Sequence, residues 1–152
     1  MRNRLVASLV LLFALIILHG PAGAQVPIDF FARYNPSTED DLGNAGLVQR
    51  TFTGQINADA LRAFGEIENG REPSSVAVEM RLFSEWPITI VFKRSERISV
   101  TGLALIGYVQ GVDGSEVVLI VNGPHVTGDI NLPGQLFHIR PAGDDSGHQV
   151  QD

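Results

Sequence analysis

The 152-residue sequence contains no cysteine. That excludes disulfide staples, a thiol nucleophile, thiolate zinc ligands and any cysteine that could occupy the metal of a protease. Charge is sparse and biased to one sign, with 11 Lys and Arg against 17 Asp and Glu. The clustered basic surface that nucleic acid or an anionic membrane requires is missing, so neither is expected as a partner. Aromatic residues make up only 7% of the chain, with a single tryptophan, Trp86. The one long apolar run, residues 5–18, is interrupted only by Ser8. It falls short of the roughly 20 residues a spanning helix needs, and His19-Gly20-Pro21 would end it.

Motifs for chemistry are also scarce. The four histidines, His19, His125, His138 and His148, are followed by residues that rule out a His-Glu-x-x-His zinc motif. There is no Gly-x-Ser-x-Gly elbow and no phosphate-binding glycine loop. His125 and His138 could approach each other across neighbouring strands, but no carboxylate spacing supports a metal role. Asp113, Asp144 and Asp145 lack the periodicity of a calcium loop and read as turn formers. Asn35-Pro36-Ser37 fails as a glycosylation acceptor because proline intervenes. No catalytic, cofactor-binding or metal-ligating residue is expected, and the chain is not expected to be an enzyme.

What is present begins with export. Arg2 and Arg4 precede the apolar run, and Ala22-Gly23-Ala24 gives a small-x-small site before Gln25. This is the secretory layout, so residues 1–24 are expected to be a signal peptide cleaved near Ala24-Gln25, delivering the rest to the periplasm or the medium. No cysteine stands at the site to carry a lipid, so no stable membrane anchor remains after cleavage. Losing Arg2 and Arg4 takes eleven basic residues to nine against seventeen acidic, a formal net charge of −8, which suits a soluble exported domain.

The remainder reads as one domain. Residues 25–46, with Pro27, Pro36 and the acidic run Glu39-Asp40-Asp41, read as an irregular N-terminal segment that Ile28, Phe30 and Phe31 could pin to the core. A first strand is expected over 47–56. A short helix follows near 58–64, started by Asn57 and ended at Gly65, with 66–75 as loop. Then the β signal is continuous: strands at 76–82, 88–93, 96–110, 116–121, 125–131 and 135–140, and a short polar strand from 148. Gly102 and Gly107 mark bulges or bends in the longest stretch. The turns are 111–115, Asn122-Gly123 (with Pro124 complicating a strict two-residue loop), Pro133-Gly134 as a type II pair, and 144–147. The fold class is therefore mainly β, an antiparallel meander forming a sandwich, a curled sheet or a roll.

Several strings, in order, resemble a family. Val78-Glu-Met-Arg-Leu-Phe83 and Ile88-Thr-Ile-Val-Phe-Lys-Arg94 come first, then Gly107-Tyr-Val-Gln-Gly111. Val117-Val-Leu-Ile-Val-Asn-Gly123 with Val126-Thr-Gly-Asp-Ile130 follows, and then Leu136-Phe-His-Ile-Arg-Pro141 with Gly143-Asp144, Gly147-His148 and Val150. Together they look like the propeptides of secreted bacterial zinc metalloproteases of the reprolysin-like or peptidyl-Asp type. The residues from Gln49-Arg50 to Ile56-Asn57 and Leu61 fit more loosely. The propeptide-like domain thus spans 47–152. The zinc-bearing catalytic domain that follows in that family is not in this sequence, so no catalytic residue carries over. The resemblance implies an inhibitor or chaperone-like binding module for a secreted zinc metalloprotease, with the acidic 25–46 segment or the C-terminal tail as candidate blocking elements. Two alternatives stay open. One is a structural or ligand-binding β domain of the envelope, using exposed Trp86 or Tyr108. The other is a truncated zymogen fragment with no independent role.

Overall fold

The structure is a computed structural model that describes residues 26–36, 51–83, 86–142 and 147–151. The expected signal peptide 1–24, the acidic run 39–41, the start of the first strand at 47–50 and most of the turn 144–147 lie outside the described residues. In chain order the elements are β1 (Ile28–Asp29), β2 (Phe31–Pro36), β3 (Thr51–Ile56), α1 (Ala58–Glu68), a 3-10 turn (Pro73–Ser75), β4 (Ala77–Leu82), β5 (Trp86–Arg97), β6 (Gly102–Val109), β7 (Glu116–Asn122), β8 (His125–Leu132), β9 (Gln135–Pro141) and β10 (His148–Gln151).

All ten strands join one sheet in the order β1-β4-β5-β6-β7-β8-β9-β10-β3-β2. Every pairing is antiparallel except β1 with β4. The two ends of that order, β1 and β2, are neighbours in sequence, separated only by Phe30. Residues 28–36 therefore hold both edges and bring the sheet nearly to a closed barrel. Of the architectures the sequence left open, the curled sheet is the one formed.

The meander follows from local chemistry. The β7–β8 connection is a strict two-residue loop, closed by the Asn122↔His125 pair. Its central residues are Gly123 and Pro124, not Asn122-Gly123. Gly123 takes φ +59, as the first central residue of a II′ turn requires, and proline suits the negative φ of the second. The β8–β9 loop places Pro133 then Gly134 at φ +83, the type II arrangement. β5 runs unbroken to Arg97, and the chain reverses at 98–101, where Ile98 and Ser99 N–H donate to the Gly102 carbonyl. Exposed Ile98 and Val100 disguise this turn as strand. The irregularity expected at Gly107 lies on its partner: β5 bulges between Phe92 and Arg94, opposite Gly107 and Ile106.

Helix α1 is longer than expected because Gly65 does not stop it. Its buried stripe, Ala60, Ala63, Phe64 and Ile67, continues one turn beyond the glycine. The stop is a Schellman closure: Gly70 at φ +103 donates to the Ile67 carbonyl and Arg71 N–H to the Glu66 carbonyl. At the start, Asn57 Oδ1 accepts from Asp59 N–H at 2.9 Å. Asn57→Ala is expected to lower stability by about 1 kcal/mol, read as a shifted denaturant midpoint with an unchanged m-value. The helix crosses the barrel end where β3 and β5 finish, and Arg97 at the end of β5 bonds Glu68 at 2.9 Å.

The interior is one cluster drawn from nearly every strand and from α1. The phenylalanines downstream of Phe13 form a continuous chain of ring contacts, Phe92–Phe64–Phe30–Phe31–Phe52–Phe83–Phe137, with centroids 4.8 to 6.3 Å apart. It runs from beneath the helix to the opposite barrel end. The segment expected to be irregular, 25–46, carries two strands in its described part, Ile28–Asp29 and Phe31–Pro36, and the pinning role read for Phe30 holds, since that ring is fully buried.

Candidate functional site at the barrel seam

The barrel wall is weakest where β1 meets β4. That pairing is only two residues long, Ile28↔Val78 and Asp29↔Glu79, extended by one bond from Phe30 N–H to the Glu79 carbonyl at 2.7 Å. The next acceptor in a parallel ladder would be the Phe30 carbonyl, offered to Arg81 N–H. That carbonyl instead accepts from Asn57 N–H at 2.8 Å, because the chain is turning toward β3. The ladder ends, and β4 and β2 diverge.

Strand alternation fixes where the Arg81 backbone points. Glu79 turns its peptide groups toward β1, so Arg81, two residues on, points the same way. Its partner on the other side, Pro87, has no N–H to give, in keeping with a non-hydrogen-bonded pair. Arg81 N–H therefore points to the β1 side of β4, past the end of that ladder. A cleft of about 190 Å³ opens here, lined by Asp29, Phe31, Glu79 and Arg81. Arg81 Nε stands 3.8 Å from Glu79 Oε1, and the arginine side chain is largely exposed. Phe31 forms the apolar wall, its ring lying over Gly54, where a Cβ would come within 2.7 Å of Phe31 Cδ1. An exposed strand edge, an apolar ring and charges of both signs suit an extended peptide better than a small molecule.

The other sequence candidates fall elsewhere. His125 and His138 are not brought together. His125 pairs with Asn122, while His138 Nδ1 lies 2.6 Å from Asp129 Oδ1 on the exposed face. Among the described residues no three His, Asp or Glu side chains group as metal ligands. Asp113 sits in the β6–β7 turn, where Ser115 Oγ ties the Val109 and Val112 backbones together. Asp144 and Asp145 lie outside the described residues. Tyr108 is half-buried with Lys93 Nζ 4.6 Å from its ring centroid, so one face is already covered. Trp86 opens β5, its side chain outside the described residues. The C-terminal stretch is not a free tail over 148–151: it is an interior strand between β9 and β3. Nor is it polar throughout, since His148 and Val150 face inward and are buried.

His148 is the residue that sequence reasoning undervalued. Its Nε2 accepts from Val126 N–H at 2.9 Å, and its Nδ1 is buried without a partner among the described residues. Burial, and secondarily the nearby His125, push its pKa below the ordinary histidine value. The signal was in the alternation: His148 shares a face with Val150.

No family model matches the chain, and no curated protein does. Among solved structures, one described as "Structure of a chaperone-substrate complex" is similar over 84% of this chain and 86% of that one, with a TM-score of 0.54 and 9% identity. At that identity the likeness is one of fold. Fold and seam together define a nearly closed, mainly antiparallel barrel with a helix across one end and a stretch of β4 edge left open at the seam.

Proposed function

We propose that this chain is an exported, non-catalytic binding module that acts on a secreted zinc metalloprotease as inhibitor or chaperone, taking an extended segment of its partner along the β4 edge. The observation that carries this is the outward-facing Arg81 backbone beside the Phe31 cleft, because strand addition needs such an edge. The ordered strings that resemble metalloprotease propeptides support the choice of partner. The description of the structural neighbour as a chaperone–substrate complex is in keeping with a barrel that engages another polypeptide, on either side of such a pairing.

The test uses the mature chain and secreted zinc metalloproteases from the same source. Co-elution with inhibition, or improved recovery of active protease on refolding, is the expected result. The absence of both would contradict the reading. Arg81→Pro sharpens it. Proline removes the edge N–H, which makes no bond within the β4–β5 pair, together with the exposed guanidinium, which Arg81→Ala removes alone as the control, and edge strands tolerate proline. Binding is expected to weaken about tenfold, the worth of one hydrogen bond and a poor steric fit, while the unfolding midpoint hardly moves.

A further inference from the structure

The geometry points to a second device, independent of the seam: His148 is an acid-sensitive latch that fastens β10 to β8 across the end of β9. The β8–β9 ladder runs from Leu132↔Gln135 to Gly128↔Ile139 and stops. In that register Thr127 would next face Arg140, and the next hydrogen-bonded pair would set Val126 against Pro141, which has no N–H to return. β9 instead continues only with β10, through Pro141↔His148 and Arg140↔Gln149. The imidazole of His148 reaches past Pro141 and accepts the Val126 N–H. A side chain thus supplies the bond that the backbone ladder does not.

That bond works in one protonation state. A ring nitrogen that accepts carries no proton, so the neutral ring holds its hydrogen on Nδ1. Protonation would put a hydrogen on Nε2, turn acceptor into donor, strand the Val126 N–H and bury a charge. Nothing described compensates for that charge. From β8 the titratable group facing it is His125, which repels a second cation. β3 carries no charged residue between Thr51 and Ile56. On β9, Arg140 shares the outward face of Gln149 and bonds Gln149 and Gln151.

The direction follows from linkage. Folded His148 takes a proton less readily than an unfolded histidine. Its contribution is therefore complete above about pH 6.5, the unfolded value. It falls as pH drops toward the lower folded value and levels off beneath it. The first part of the structure to loosen is the β8–β10 contact, with β9 and β10 free to move away from Val126.

The experiment follows ring and amide together by NMR on the mature protein. Expected are a His148 ring that titrates below the ordinary histidine value and, once through that titration, a Val126 amide that loses about tenfold or more in protection. Leu119 on β7 should keep its protection. His148→Gln, which offers an acceptor that does not titrate, should hold Val126 protection level across the same pH range. A ring titrating at or above the ordinary value would overturn the latch, as would Val126 protection that ignores pH. So would a His148→Gln protein with the acid response of the wild type. If that variant does not fold, the wild-type ring and amide measurements decide alone.

Discussion

Phe30→Ala costs the barrel about 3–5 kcal/mol, the range for emptying a fully buried phenylalanine site. The ring has no solvent exposure and stands in the middle of the aromatic chain, 4.8 Å from Phe31 and 6.3 Å from Phe64. Each favourable ring pair adds about 0.5–1.5 kcal/mol beyond burial. The backbone at this residue also joins the two sheet edges, donating to Glu79 and accepting from Asn57. A cavity under it loosens β1, β2 and the entry to α1 together. Against a typical total of about 5–15 kcal/mol, the variant should lose a large share of its stability. Equilibrium denaturation measures this, with Phe31→Ala, a half-buried ring, as the milder comparison. A loss below about 1 kcal/mol for Phe30→Ala would mean that residues 28–36 do not close the sheet.

The second large effect comes from adding a methyl group. Gly128→Ala is expected to cost about 3 kcal/mol, at the upper end for overpacking. A Cβ at Gly128 would overlap the Val118 carbonyl oxygen and stand 2.9 Å from both Leu119 Cα and Leu119 Cδ2. Backbone cannot move aside as a flexible side chain can. Its φ is not in the positive region, so the penalty is close approach between β7 and β8 and not dihedral strain. Gly65→Ala makes the matching control. It sits inside α1, nothing lies within 4 Å of its Cβ position, and alanine there should stabilise by about 0.5–1 kcal/mol. One substitution chemistry, read by one denaturation assay, should give opposite signs at the two glycines. Equal and small effects would show that β7 and β8 are not pressed together at Gly128.

These residues also show how far the sequence could be read. Turns with their own chemistry were legible: Pro133-Gly134 demands a positive φ at one position, and the Asn-Gly-Pro string announces a reversal even though its centre lies one residue later. The 98–101 reversal carries no such signal, since Ile98 and Val100 are β-formers placed on a turn. Gly65 looked like a helix end because only the core reveals that Ile67 is needed inside. β2 was hidden by Asn35 and Pro36, which read as loop, while its pairing partner β3 lies many residues away. The site was less legible than the fold. The β1–β4 pairing is long-range and parallel, and the exposed Arg81 edge exists only because Phe30 turns its carbonyl toward Asn57. His148 sits on a strand whose neighbouring glutamines, Gln149 and Gln151, gave it a polar look.

The most direct measurement is amide hydrogen exchange at Arg81 in the mature chain, alone and bound to a secreted zinc metalloprotease. Fast exchange in the free protein and marked slowing in the complex, with Phe31 resonances shifting alongside, is the predicted result. An Arg81 amide already protected in the free chain, or one that stays fast in a complex formed elsewhere on the barrel, would contradict it.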